Sequence, residues 1–563
     1  MMDIRELKRR PAAFKRQTRD IELNLDNLAP GLQQTDELLI FDDGERVKIF
    51  DRICDHNGGR LFVRDKVASC PLHGWTLNPE TSQYMDVKCT KKPLMVVDKH
   101  ELDSPVICVE SAENRRELSG FTRHYETQVE FINHACLLFN VDGLLSFATD
   151  PWVVGPAFCN GWWLSRPSPA DVFQRLNECD FIYISHNHPD HLHPESLSYL
   201  RKDIPILTAP FVSGSTVRYL TSLGFSNILT CGFNEELYSD EQQIAFSVLK
   251  SGDFRDDSGL LIQLGRFTAL LTVDSNFIDF GRIPEKVDLL CSSFAGGASG
   301  FPLCFELYSE QEKARLIQRN RGAIRATNKQ AMARCSPDYF LPYAGFFTEA
   351  APRDSYIKRL NNKNSIEDYR SIAAQLDCQL LSVEQANLFR FHGGELQENR
   401  WIDYPALQEK PVDQYMQETA LSVGEYTREQ ICQYFMHSGF HGNLVLLLVL
   451  CDDEFQVQAE PIGIEFDLRR PPMLMPDAEN AKDLATTTGK NYLRIKVRQN
   501  EIKSVCQQGL PWEDLSIGFQ CSIDREPNIY NSDFWYHFTN IYIHDAVAKV
   551  GSINANEDQS CSQ

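Results

Sequence analysis

Short apolar runs punctuate the chain, each closed by aspartate, glycine, proline or serine, and they read as strands. Glu37-Leu-Leu-Ile-Phe41, Val47-Lys-Ile-Phe50 and Leu94-Met-Val-Val97 predict a small β domain near the start. Val129 to Phe139 reads as strand, histidine, strand, with His134 at the break. Leu145 to Trp152, Asp180-Phe-Ile-Tyr-Ile-Ser185, Leu270-Leu-Thr-Val-Asp-Ser275 and Asp288-Leu-Leu-Cys-Ser-Ser293 follow as further strands. Lys313 to Arg334 is a basic stretch with helical character and a solvated face, and residues 351–380 read as a polar helical connector. Beyond them, Thr427 to Met436 and Asn500 to Gln508 predict helices. Leu444 to Leu450 is an apolar strand, and Leu493-Arg-Ile-Lys-Val497 alternates like a half-exposed one. Residues 1–30 form a charged, helix-prone extension carrying Lys8, Arg9, Arg10, Lys15, Arg16 and Arg19, and the polar residues from Asn554 onward predict a disordered tail.

Bulk properties narrow the class. A chain of 563 residues exceeds what one hydrophobic core organises, so several domains are expected. Hydrophobic content of 42% and charged content of 24% fit a globular protein in water. The formal charge of -22 argues against nucleic acid as a partner. The longest apolar run, Leu444 to Cys451, is too short to span a bilayer, and the N-terminus has no secretory signal, so no membrane is expected. Seventeen cysteines, mostly scattered singly, suit a reducing, cytoplasmic compartment in which a few serve as ligands.

Two of those cysteines stand in paired loops. Ile53-Cys-Asp-His-Asn-Gly-Gly59 and Ser69-Cys-Pro-Leu-His-Gly-Trp75 give C-x-H, thirteen residues, then C-x-x-H. Two cysteines and two histidines suit a zinc ribbon. The tight glycine-bearing loops and the β character of the linker Arg60-Leu-Phe-Val-Arg64 favour a Rieske [2Fe–2S] centre. Cys54 and Cys70 would then hold one iron, and His56 and His73 the other. Such a centre moves single electrons and leaves the chemistry to another site.

That site is announced by Ile184-Ser-His-Asn-His-Pro-Asp-His-Leu192. His186, His188, Asp190 and His191 crowd onto one loop after a strand, a set that suits a divalent metal. The H-x-H-x-D-H pattern resembles the metallo-β-lactamase superfamily, which implies an αββα sandwich with its metal site at one edge. Asp274 closes an apolar strand and is the candidate for that fold's bridging aspartate, and Asp150 holds a place suited to supporting a ligand. His134 is open as ligand, supporting group or packed core residue. The resemblance also implies further histidines after the motif, yet none follows His193 until His392, and Lys250 to Gly259 offers only Asp253, Asp256 and Asp257. A set of histidines and carboxylates suits iron as well as zinc.

The order of these two motifs, with long blocks beyond them, resembles the CMP-N-acetylneuraminate hydroxylase family. The blocks are Asp150-Pro-Trp-Val-Val-Gly-Pro-Ala-Phe158, Gly161-Trp-Trp-Leu164, Ser293 to Pro302, Pro342-Tyr-Ala-Gly-Phe346, Leu510 to Gln520 and Asp533-Phe-Trp-Tyr-His537. The expected fold is multidomain α+β: an extension over 1–30, an all-β Rieske domain over 31–115, a metallo-β-lactamase-like sandwich over 116–350, an α+β region over 351–553 and a tail over 554–563. The resemblance implies a monooxygenase that hydroxylates the acetyl group of a nucleotide-linked sialic acid or a related acylated sugar. It also implies a cytochrome b5 or ferredoxin donor fed from NADH through a reductase, docked on a local basic patch or on the basic N-terminal helix. Catalysis would rest on His186, His188, Asp190, His191 and Asp274, with His134 and Asp253 as weaker metal candidates. Phe294-Ala-Gly-Gly-Ala-Ser-Gly300 is readable as an anion cradle or as a tight turn packed on Trp162 and Trp163. Two other classes stay open: a metal hydrolase of phosphodiesters or lactones with a regulatory Rieske domain, and a bare electron carrier.

Overall fold

A computed structural model describes residues 3–540, apart from 16–17, 23–27, 36–37, 53, 56–60, 65, 70–74, 86–88, 100–105, 111–114, 253–254 and 425. His56, Cys70, His73, Asp253 and the tail over 554–563 therefore lie outside the described residues.

Two eight-stranded mixed sheets face each other in the centre of the chain. One runs Lys8–Pro11, Glu235–Ser239, Ile244–Lys250, Ser258–Leu264, Phe267–Val273, Leu289–Ser293, Tyr339–Tyr343 and Gln379–Leu380. The other runs Ile228–Thr230, Ile206–Thr208, Phe181–Tyr183, Leu145–Thr149, Cys136–Val141, Glu126–Asn133, Leu388–His392 and Glu395–Arg400. Between them lies a dry core in which the rings of Phe139, Phe147 and Phe181 stack at 4.7 Å intervals and Phe246 meets them edge-on from the facing sheet. Strands buried on both faces explain why these segments read as continuous apolar runs. The long helix Glu310–Cys335 covers one sheet through Met332 and Cys335, while its Ile317 joins the core of the C-terminal region, and Ser309 with Glu312 forms its capping box.

Both sheets run on past residue 350: Gln379–Leu380 extends the first and Leu388–Arg400 the second, so the sandwich reaches Arg400 rather than stopping at the expected boundary.

Among its described residues the N-terminal extension forms strands rather than the expected helix. After a single turn at Ile4–Glu6, Lys8–Pro11 pairs antiparallel with Glu235–Ser239, and Thr18–Glu22 pairs with Val106–Glu110. A short charged helix with no face to bury is marginal, whereas an open sheet edge offers a full ladder of hydrogen bonds. Arg9 and Arg10 are held at 3.1 and 2.5 Å by Glu235 and Glu236, so they do not form the basic docking helix expected.

The first domain holds two four-stranded antiparallel sheets, Gly31–Gln34, Leu38–Asp42, Arg46–Asp51 and Met95–Asp98, then Phe62–Arg64, Val67–Ser69, Thr76–Asn78 and Gln83–Tyr84. Cys54 is buried in its core beside Trp75 and Tyr84. At the other end of the chain, a five-stranded sheet around Leu444–Cys451 and Asn491–Arg498 buries Trp512, Phe534 and Trp535. Its core is continuous with Trp152, Phe158 and Trp162, so the tryptophan block before the metal motif packs into the C-terminal region.

Phe294–Gly300 is held mainly through its carbonyls. Asn361, Asn364 and Tyr369 donate to Gly297 and Phe294, and a side chain at Gly300 would strike the Ser516 carbonyl at 2.4 Å. Its packing partners are thus the 361–369 segment and the C-terminal region.

Candidate metal centre

The parallel strands of the two sheets end together, and the chain leaves them in strained turns. Asp150 follows Leu145–Thr149 with φ 37°, His134 sits at φ 41° between its two strands, and Val273 precedes Asp274 at φ 53°. A left-handed β-branched residue is a costly conformation that persists only where its surroundings over-determine it, and such outliers gather at functional sites. Asp150 is fixed from both sides, its amide donating to the Tyr183 carbonyl at 2.9 Å and its carboxylate accepting from the Ser185 amide at 2.7 Å.

The histidines of the motif share one arrangement: an outer ring nitrogen meets an oxygen and an inner nitrogen faces a common centre. His191 places Nδ1 3.1 Å from Asp150 Oδ2, while its Nε2 lies 3.4 Å from Asp190 and 3.5 Å from Asp274. His186 places Nδ1 2.9 Å from the Ser185 hydroxyl and 3.5 Å from Asp257. His188 places Nε2 3.3 Å from Glu513 Oε2. The inner nitrogens of His186 and His188 then stand 2.9 Å apart. His134 joins the group with Nε2 3.2 Å from Asp190, its ring edge-on to Trp152.

Three sets of ligand atoms lie within 4.8 Å of one another: His134, Asp190 and His191; His186, His191 and Asp274; and His186, His188 and Asp190. His191 Nε2, Asp190 Oδ1 and His134 Nδ1 are buried without a hydrogen-bond partner among the described residues. Orphaned buried polar atoms are rare, and His191 Nε2, which faces Asp190 and Asp274, is placed to meet a bound cation.

Electrostatics agree with the geometry. Burial pushes His186 well below the usual imidazole range, which keeps it neutral. Burial opposes a charge on His191 too, but the carboxylates of Asp190 and Asp150 outweigh it and raise that ring well above its usual range. Burial would raise Asp190, yet His191 and His134 hold it well below. Glu513 is partly buried, which would raise it, yet His188 holds its carboxylate below the ordinary range.

His193, directly after the motif, faces away. Its Nδ1 accepts from the Ser196 amide at 3.1 Å, capping the helix Pro194–Ser198, and its Nε2 donates to the Pro156 carbonyl at 3.0 Å. Two carboxylates that the motif does not contain do reach the site. Asp257 was visible as an acid in the segment where a histidine was expected. Glu513 lies 325 residues from His188 in a region that shows no metal cluster in sequence, and its only signal was membership of the Leu510 to Gln520 block. The site opens onto a pocket lined by Asn187, Arg255, Asp256, Glu513, Tyr536 and Asn540. At the first candidate centre, Cys54 lies against the phenol of Tyr84, whose hydroxyl accepts from the Asp55 amide at 3.1 Å.

Comparison with known proteins matches residues 18–106 to a Rieske [2Fe-2S] domain and residues 128–246 to a beta-lactamase superfamily domain. Over 541 residues, 86% of each chain, this chain is 30% identical to the cytidine monophosphate-N-acetylneuraminic acid hydroxylase of Danio rerio. The Xenopus laevis protein of the same name is 29% identical over 538 residues, covering 89% of this chain and 88% of the relative. The Mus musculus protein is 29% identical over 544 residues, covering 89% and 90%. Among the described residues no helix is long and apolar enough to cross a membrane.

Proposed function

The chain belongs to the cytidine monophosphate-N-acetylneuraminic acid hydroxylase family, and on that premise we propose that it is a Rieske-type monooxygenase converting the N-acetyl group of CMP-N-acetylneuraminate to N-glycolyl. The net reaction takes one dioxygen, two electrons and two protons for each C–H bond hydroxylated, and releases one water. The observation that carries the reading is the pairing of a Rieske domain with a buried histidine–carboxylate centre in one chain.

In this reading Cys54 and Cys70 would hold one iron of the cluster and His56 and His73 the other. His186, His188, Asp190, His191 and Asp274 would hold the second metal, iron being the choice that matches dioxygen chemistry, with His134 beside them. When bound, the cluster supplies single electrons and the second metal supplies dioxygen activation. The residues of the chain do the rest. Asp150, Ser185 and Glu513 keep the outer nitrogens of His191, His186 and His188 engaged and their inner nitrogens turned to the centre. Trp152 and Trp162, both buried, wall the His134 side against water. Arg255, beside Asp257 and lining the pocket, offers a cation to the anionic groups of a nucleotide sugar. An external one-electron donor, a cytochrome b5 or a ferredoxin with an NADH-fed reductase, completes the system.

The test is a product assay. Protein loaded with iron and chemically reduced is mixed with CMP-N-acetylneuraminate and then with labelled dioxygen, and the product is read by mass spectrometry. One labelled oxygen on the acyl group is expected. Turnover of the substrate without dioxygen would overturn the proposal in favour of a hydrolase.

A further inference from the structure

The C-terminal region supplies a carboxylate that completes the metal site. Glu513 sits at the start of the helix Glu513–Ile517, its side chain 18% exposed, with Oε2 3.3 Å from His188 Nε2. Its other oxygen accepts from the Tyr530 hydroxyl at 3.0 Å, and its amide donates to the Thr539 hydroxyl at 3.3 Å. Three separate segments of the C-terminal region thus converge to aim one carboxylate at one ring nitrogen.

That contact decides which nitrogen of His188 is available. A neutral imidazole has one N–H and one lone pair. A carboxylate accepts and cannot donate, so Glu513 fixes the proton on Nε2 and leaves the lone pair on Nδ1. Nδ1 is the nitrogen that faces His186 Nε2 at 2.9 Å, inside the His186, His188 and Asp190 set. The same logic holds for His191, where Asp150 takes Nδ1 and leaves Nε2 inward. The difference is that Asp150 belongs to the sandwich, whereas Glu513 comes from outside it.

We infer that Glu513, held by Tyr530, is a positioning residue for His188, so that the metal site is complete only with the C-terminal region docked. This rests on the reading of the histidine cluster as a metal site. Carboxylates that orient ligating histidines are worth about 10–100-fold in metal affinity.

The test is a titration of cobalt(II) into full-length protein stripped of its second metal, followed by the cobalt absorption bands. Wild type, Glu513→Gln and Tyr530→Phe are compared, with far-ultraviolet circular dichroism and the cluster spectrum as controls of folding. Glu513→Gln is expected to weaken cobalt binding by about 10–100-fold and to change the band pattern. Tyr530→Phe is expected to shift both in the same direction by less. Should Glu513→Gln not fold, Tyr530→Phe alone decides: weakened binding supports the inference, and wild-type binding overturns it. Wild-type affinity and bands in both variants overturn it while leaving the metal site standing. A wild-type protein that takes up no cobalt overturns the metal-site reading and this inference with it.

Discussion

A histidine whose outer nitrogen is engaged by a carboxylate has a fixed tautomer, and this simple constraint does much of the ordering here. Asp150 imposes it on His191 at 3.1 Å while its other oxygen holds the Ser185 amide. Asp150→Asn keeps the shape but weakens the acceptor, and it should lower second-site cobalt affinity about tenfold or more, measured by the same absorption titration. His193 shows the opposite use of a histidine. It is buried with both nitrogens committed as a neutral ring, and burial lowers it to about 4 from an ordinary 6.5. Because the folded form is the weaker base, its stabilising contribution is full above pH 6.5 and is lost as the pH falls towards 4, a change on the order of 3 kcal/mol. His193→Asn keeps a helix cap without a titrating group. The gap in thermal midpoint between wild type and this variant should therefore narrow between pH 7 and 5, and a constant gap would refute the assignment. Spacing in the sequence is enough to propose His186, His188, Asp190 and His191 as one group, because a single loop carries them, whereas Asp274 is proposed from a strand end and the superfamily resemblance. It does not separate His193 from its neighbours, since that distinction lies in which way a ring turns.

At the level of elements, the site exists because parallel strands from both sheets end side by side. The apolar runs that predicted these strands were legible because burial on both faces removes polar residues. The N-terminal strand Lys8–Pro11 was not, since an edge strand is stabilised by a neighbour's open backbone and by ion pairs to Glu235 and Glu236, which no local pattern shows. The extent of the sandwich was missed for a similar reason: Leu388–His392 returns from far along the chain to pair with Glu126–Asn133, and Glu395–Arg400 pairs onto it in turn. One junction joins two blocks that looked unrelated in sequence. A side chain at Gly161 would strike the Gly518 carbonyl at 2.2 Å, and one at Gly518 would strike the Phe158 carbonyl at 2.0 Å. Trp162 donates its indole N–H to Ile517 across the same contact. Gly518→Ala should cost about 1–3 kcal/mol in thermal unfolding and, by pushing away the helix that carries Glu513, also weaken metal binding. Normal metal affinity in a destabilised Gly518→Ala protein would show that the junction is structural alone.

Over the whole molecule, the C-terminal region is joined to the sandwich by buried ion pairs as well as by apolar packing. Arg498 meets Asp354 at 2.6 Å, and Arg353 meets Glu501 at 2.5 Å, all four largely out of solvent. Burial raises Asp354 above the ordinary carboxylate range, with Arg498 pulling against it. Arg498→Met strands a buried carboxylate and should cost about 3–5 kcal/mol, read as a lower thermal midpoint. Changing Asp354→Leu in the same chain should recover much of the loss, because the stranded charge is then gone; no recovery would mean the pair is not the cause. A multidomain chain with one electron centre and one reaction centre was foreseeable from two motifs in order. That a third region would close the reaction centre was not, because its contribution is a single glutamate in an otherwise ordinary α+β segment.

Hydroxylation fed by the cluster requires coupling between the two centres. The measurement is rapid mixing of protein carrying a reduced cluster with dioxygenated buffer, with and without CMP-N-acetylneuraminate, following cluster absorbance and quenching for product. Cluster oxidation that is accelerated by the substrate, is matched by N-glycolyl product and loses that product in His186→Ala is the predicted result. Cleavage of CMP-N-acetylneuraminate under argon with the cluster already oxidised would contradict that coupling and leave a metal hydrolase in its place.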